Sequence, residues 1–117
     1  MNDRRKGLGK LGEDAACFIL QKQGYKILAR NYHSFLGEID IIALDKDTLV
    51  FVEVKLRTTS KFGLPEEAVD KRKIDKIKNV GFKFWQEKCP NIKKARIDVV
   101  SLKFQEGKIE SRVIKSV

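Results

Sequence analysis

Only one histidine, two cysteines and two prolines occur in this chain of 117 residues. A lone histidine, His33, excludes a histidine-built metal cluster, and no role is assigned to it. Cys17 and Cys89 stand far apart with no C-x-x-C spacing, which excludes a zinc ribbon or a dithiol redox motif. Cys17 falls among small and apolar residues, where packing is its expected role. No apolar run approaches the roughly 18 residues of a membrane span, and no helix is built strongly apolar against basic, so no membrane is expected as a partner. The stretch Met1 to Lys6 does not lead into an apolar signal core, so the expected location is the cytoplasm. Repeats, low-complexity tracts and linkers are missing too, and residues 1–117 are expected to form one domain. Acidic residues are the minority, 16 against 25 Lys and Arg, and the formal charge is +9. Such an excess points to a polyanionic partner, with nucleic acid first.

What the chain does have is charge inside strand-like segments. In GEIDIIAL, Glu38 and Asp40 are two apart; in TLVFVEVKLR, Glu53 and Lys55 are two apart and alternate with Val52, Val54 and Leu56. A strand repeats every two residues, so each pair projects from one face with side chains roughly 7 Å apart, and the aliphatics line the other. Burying such charges costs several kcal/mol per ion unless mutual pairing or a metal ion offsets it. A hairpin through Asp45-Lys46-Asp47-Thr48 brings Asp40 beside Glu53, and that spacing favours metal. Two carboxylates and the Val54 carbonyl are hard oxygen ligands of the kind Mg²⁺ (or Mn²⁺) accepts, with water and a phosphate completing its shell. Lys55 then lies next to a metal-bound water. The competing reading of Asp40, Glu53 and Lys55 is a structural ion-pair network.

Periodicity predicts the elements around these residues. Leu8, Leu11, Ala15, Phe18 and Ile19 recur at helical spacing and Gly24 is a natural stop, giving a helix over about Gly7 to Gln23. Strands follow over Tyr25 to Tyr32, Gly37 to Leu44 and Thr48 to Arg57, an antiparallel meander. After a polar loop, Pro65 opens a long helix through about Lys88, with Ala68, Ile74, Ile77, Phe84 and Trp85 as its buried stripe. Ala95 to Phe104 and Lys108 to Ile114 are the last two strands. A strand, long helix, strand unit makes a crossover, so the fourth strand is expected parallel to the third, in a mixed sheet with a helix on each face. The acidic pair is then expected to open beside the first helix, with Glu13 in reach of the same metal.

Glu38 admits two readings, a carboxylate that positions Arg57 or Lys55, or a solvent-facing strand end. Asp98, within Arg96-Ile97-Asp98-Val99-Val100, is expected to pair with Arg96 and serve structure. Between Lys71 and Lys78 the sequence KRKIDKIK has a single acid. Lys71, Arg72, Lys73 and Lys76, with Arg57 at the end of the third strand and Lys61 in the segment that follows, are expected to track phosphates rather than to read bases. Solvated surface charge is the alternative.

These residues resemble a known arrangement, the Asp…Glu-x-Lys core of the restriction-endonuclease-like nuclease superfamily, written PD-(D/E)xK. Gly12-Glu13, Asn31-Tyr32, Gly37-Glu38-Ile39-Asp40, Phe51 to Arg57 and Arg96 to Val100 together resemble the YraN family of small bacterial proteins. They are similar in order and spacing to the archaeal Holliday-junction resolvases. Ile39 stands where the superfamily has its proline, which is not a ligand. The resemblance implies an α/β fold, a restriction-endonuclease-like mixed sheet in the order α-β-β-β-α-β-β flanked by helices. It also implies a Mg²⁺-dependent endonuclease acting on DNA, branched or otherwise structure-defined. In that reading Asp40 and Glu53 hold the metal, Lys55 helps generate or orient the attacking water, and Glu13 assists. Resolvases act as two-fold dimers, so the resemblance admits a homodimer. The alternative from another class is a non-catalytic nucleic-acid-binding module on the same fold.

Overall fold

The computed structural model describes residues 4–57 and 70–117, the side chains of residues 4–8 excepted. The chain runs α1 (Arg4–Lys22), β1 (Lys26–Ser34), β2 (Gly37–Asp45), β3 (Thr48–Arg57), α2 (Lys71–Lys88), β4 (Lys94–Gln105) and β5 (Lys108–Ile114). The five strands form one sheet in sequence order, β1-β2-β3-β4-β5. β1, β2 and β3 pair antiparallel, β3 and β4 are parallel through the α2 crossover, and β5 returns antiparallel on β4. A mixed α/β sheet with a helix on each face is what the alternation and the crossover length predict. Among the described residues, no helix is long and apolar enough to cross a membrane.

Two cores sit on the two faces. Ala16, Cys17 and Leu20 of α1 pack on Ile41, Ala43, Val50, Val52, Val100 and Leu102, with Val54 and Leu56 beside them. Ile77, Val80 and Phe84 of α2 pack on Ile39, Ile42, Leu49, Phe51 and Ile97. Each large aliphatic fully withdrawn from water here contributes roughly 1.5–3 kcal/mol. The buried stripe of α1 is displaced from the expected one. Leu11 and Phe18 are about 60% exposed, at 59% and 61%, because the helix turns Gly12, Ala16 and Leu20 to the sheet instead.

The start of α2 also differs from the expected Pro65. Asp70 has extended backbone at φ −85° and ψ 175°, and its Oδ1 accepts the Lys73 amide at 2.9 Å, an N-cap that fixes the first helical residue as Lys71. Pro65 and Ala68, like Lys61 and the loop around it, lie outside the described residues.

Both helices approach β3 through a glycine. A Cβ on Gly12 would stand 2.6 Å from Leu56 Cδ2, and one on Gly81 would stand 2.7 Å from the Phe51 ring. With no side chain at these points, α1 and α2 settle close on opposite faces of the strand that carries Glu53 and Lys55.

Candidate active site

The site begins where a ladder stops. β2 and β3 pair from Asp45↔Thr48 up to Ile41↔Val52 and no further. On the other side of β2, Asn31 adopts a left-handed φ of 50° between the pairs Arg30↔Ile41 and Tyr32↔Ile39. Side-chain alternation breaks at the same level: Ile39 packs in the α2 core and Ile41, two residues on, in the α1 core. The period-two argument that set Glu38 and Asp40 on one face therefore fails at Asp40, because the strand is re-aimed there. Beyond the break the Val54 amide donates to Asp40 Oδ2 at 2.8 Å, a side chain standing in for the absent ladder partner. Asp40 and Glu53 are neighbours as expected, though not through a backbone pair.

Glu53 is buried, 5% exposed, on the α2 face of β3. Its Oε2 lies 3.0 Å from Lys73 Nζ, which reaches in from the first turn of α2. Burial, then the charge of Glu53 beside it, push the Asp40 carboxyl up from 3.8 to about 7, against the lowering effect of the Val54 amide. Lys73 is held above its ordinary pKa, chiefly by the hydrogen bond to Glu53. One ammonium thus contacts Glu53 and feels the charge of Asp40.

Glu53 thus meets α2, while Asp40 lies within reach of the charge of Glu13 on α1. Glu13 approaches Asp40 from the opposite face, near enough for its charge to raise the Asp40 carboxyl. Its Oε1 is occupied by Asn31 Nδ2 at 2.8 Å and Arg30 Nη2 at 3.2 Å. Arg30 also binds Asp14 Oδ1 at 2.6 Å, anchoring α1 to β1. Neither Arg30 nor the holding role of Asn31 was foreseen; an asparagine inside a strand pattern is the available signal, since it tolerates left-handed backbone.

Lys55 follows Glu53 by two along a strand whose register with β4 is unbroken, so both project to the same face. It is half-buried and has no ion-pair partner among the described residues. Glu38 is exposed at the start of β2, its Oε1 3.6 Å from His33 Nδ1, which favours the strand-end reading, although its charge still reaches Lys73. Lys73 and Lys76 line a cleft of about 410 Å³ with His33, Ser34, Gly37, Glu38 and Ile77. Lys71, Arg72 and Lys76 are exposed on α2, and Arg57 is half-buried at the end of β3. Lys73, also expected to meet phosphate, is exposed like those of α2 but has its ammonium turned onto Glu53.

Asp98 is fully buried and structural, as expected. Arg96 Nε donates to its Oδ1 at 2.9 Å, Tyr25 to its Oδ2 at 2.8 Å and the Ser116 amide to its Oδ1 at 3.0 Å. Arg96 also binds Asp45 Oδ2 at 2.6 Å.

Residues 12–102 match the model of the uncharacterised protein family UPF0102. The chain belongs to this family, the YraN family of the motifs above. A UPF0102 protein of Dictyoglomus thermophilum is 47% identical over 97 residues, covering 83% of this chain and 82% of the relative. One from a Sulfurihydrogenibium species is 50% identical over 95 residues, covering 81% and 83%. One from Pelotomaculum thermopropionicum is 40% identical over 111 residues, covering 94% and 92%. The UPF0102 match spans Glu13, Asp40, Glu53, Lys55 and Lys73 together.

Whether these residues suit a divalent cation is a question of donor chemistry. Among the described residues, no three acidic, cysteine or histidine side chains are gathered as a metal cluster. The donors at hand are two carboxyl groups, one pushed up to about 7 by the other and by burial, with a lysine ammonium already drawn to them as a stand-in cation. That set fits Mg²⁺ or Mn²⁺, which is bound through one or two carboxylates and keeps several waters.

Proposed function

We propose that this UPF0102 protein is a Mg²⁺- or Mn²⁺-dependent endonuclease of the PD-(D/E)xK superfamily, similar to the archaeal Holliday-junction resolvases, that hydrolyses phosphodiester bonds in branched DNA. The observation that carries the reading is the pairing of half-buried Asp40 with buried Glu53 at the broken ladder, with Lys55 on the same strand face as Glu53. Asp40, Glu53 and the Val54 carbonyl are the groups that would hold the ion. When bound, it would neutralise charge on the scissile phosphate.

The chain's own residues supply the rest. Lys55, without an ion-pair partner among the described residues, is free to orient the attacking water and to stabilise charge developing on the phosphate. Glu13, fixed by Asn31 and Arg30, faces Asp40 across the opened ladder and biases the protonation of the site. Lys71, Arg72 and Lys76 on the exposed side of α2 supply backbone attraction without base readout. A net charge of +9 suits that partner.

The Lys73–Glu53 ion pair favours a second reading, a nucleic-acid-binding module whose acidic site serves structure alone. Incubating labelled duplex, single strand, flap and four-way junction with Mg²⁺, Mn²⁺ or EDTA separates the two. Metal-dependent cleavage of the junction or flap is the expected result. Binding of the panel with no metal-dependent cleavage would retire the nuclease reading in favour of the module.

A further inference from the structure

The buried carboxylate Glu53 already has a cation, and it belongs to the protein. Lys73 Nζ is 3.0 Å from Glu53 Oε2, with the lysine side chain 48% exposed and the glutamate 6%. The ammonium therefore enters from solvent along a flexible stem, while the acid is fixed in the sheet. Lys73 also lines the open cleft of about 410 Å³ with Lys76, His33, Ser34 and Glu38, so its side chain borders open space. Lys76 lines that cleft from the next turn and Arg72 and Asp70 flank Lys73 in a smaller one, a basic rim that a phosphate would meet first. A compact ammonium on four methylenes exchanges partners readily, as a bidentate guanidinium does not.

We infer that Lys73 is a resident counter-ion that occupies Glu53 until a divalent cation takes its place, and that a nucleic-acid phosphate, by drawing the ammonium into the cleft, couples backbone binding to metal loading. The inference rests on the metal-site reading above and adds a regulatory step to it. Lys73 touches Glu53 and not the reacting atoms, so it is a positioning residue. Linkage then requires reciprocity: whatever factor the oligonucleotide adds to metal affinity, the metal adds to oligonucleotide affinity.

The test is calorimetric titration of Mn²⁺ into the intact protein and its variants, without and with a short DNA duplex whose strands are checked afterwards by gel. Lys73→Met should bind Mn²⁺ about tenfold more tightly than wild type, the scale of one lost charge-assisted competitor. Lys76→Met removes the same charge from the same cleft without touching Glu53, and should shift affinity by no more than about twofold. Lys73→Arg, whose guanidinium holds a carboxylate more firmly than an ammonium does, should bind Mn²⁺ no more tightly than wild type. The duplex should tighten Mn²⁺ binding to wild type and leave Lys73→Met unchanged. Circular dichroism confirms folding, and Lys73→Ala replaces Lys73→Met should the latter fail that check.

Equal Mn²⁺ affinities for Lys73→Met and Lys76→Met would overturn the counter-ion role while leaving the metal site standing. A duplex effect that survives in Lys73→Met would overturn the coupling in the same way. Saturable Mn²⁺ binding to none of the proteins would overturn this inference together with the metal reading beneath it.

Discussion

Replacing Asp40 by Asn should stabilise the metal-free protein at alkaline pH, the reverse of what a substitution at a half-buried polar position ordinarily does. The Asp40 carboxyl is pushed from 3.8 up to about 7 by burial and by Glu53. A folded-state value above the unfolded one means that the folded protein holds the extra proton. The contribution to stability is complete below about pH 4 and is lost as the pH rises through about 7. Some three units at about 1.4 kcal/mol each set a ceiling of about 4 kcal/mol, and sharing of the titration with Glu53 reduces the expected effect to about 2 kcal/mol. The asparagine carbonyl can still accept the Val54 amide, and its NH₂ can donate toward Glu53, so the variant keeps the geometry and loses the repulsion. For a chain of this length 1 kcal/mol corresponds to about 4 °C in Tm.

Differential scanning calorimetry in EDTA should therefore find Asp40→Asn melting roughly 8 °C above wild type near pH 8.5, with the gap closing toward pH 4. Millimolar Mg²⁺ or Mn²⁺ should raise the Tm of wild type and leave the variant in place, because only the ionised pair gains from the cation. A variant that melts below wild type across the whole pH range would refute the repulsive pair. An equal rise with metal in both proteins would refute Asp40 as a ligand.

Lys55→Ala should leave DNA affinity within a few-fold and lower cleavage on the order of 10²-fold or more, with Arg a poor substitute because a planar guanidinium does not readily deprotonate. Loss of binding in step with cleavage would make Lys55 a phosphate contact only. Replacing Lys71, Arg72 and Lys76 together by Ala should reduce the salt slope of duplex binding by up to roughly 0.9 per lost contact, and an unchanged slope would move the footprint off α2. Tyr25→Phe removes the hydroxyl that donates to Asp98 at 2.8 Å and accepts from Arg96 at 3.1 Å, and should cost about 1–2 kcal/mol in urea unfolding without altering the cleavage pattern. A loss of activity with stability intact would tie that network to the site.

The strands and their order were legible because β2, β3 and β4 are buried aliphatic runs with strong turn signals, and the crossover length admits a parallel return. The span Thr48 to Arg57 agrees to the residue, as does Lys108 to Ile114. Asp40, Glu53 and Lys55 were legible because charge in such runs needs a reason. Three things were not. The alternation of β2 breaks at Asp40, at the level of the left-handed Asn31 of β1, and alternation counts residues without seeing φ. Leu11 and Phe18 satisfy helical spacing yet face water, since the contact of α1 with the sheet is set by Gly12, a residue that hydrophobic patterning ignores. Lys73 looked like one lysine in a basic helix, and only the docking of α2 brings it to Glu53.

The two close-approach glycines explain why such a site can exist on a strand otherwise packed on both faces. Gly81 seats α2 against Phe51, one strand repeat before Glu53. Lys73 lies eight residues earlier on that helix, about 12 Å along its axis, and α2 runs back over the sheet after the β3 crossover. Its first turn therefore falls at the C-terminal end of β3, where Glu53 can be met. Gly12 seats α1 against Leu56 on the other face and so fixes the height of Glu13, its neighbour in sequence. Between them the β2–β3 ladder is open past Ile41↔Val52, and the opening is where Asp40 feels the charges of Glu53 and Glu13 together. A regular sheet would separate these two faces by a continuous ladder. The broken one lets acids carried on opposite faces act on a single point, and that convergence, more than the E-x-K spacing alone, distinguishes the arrangement from solvated charge on a strand.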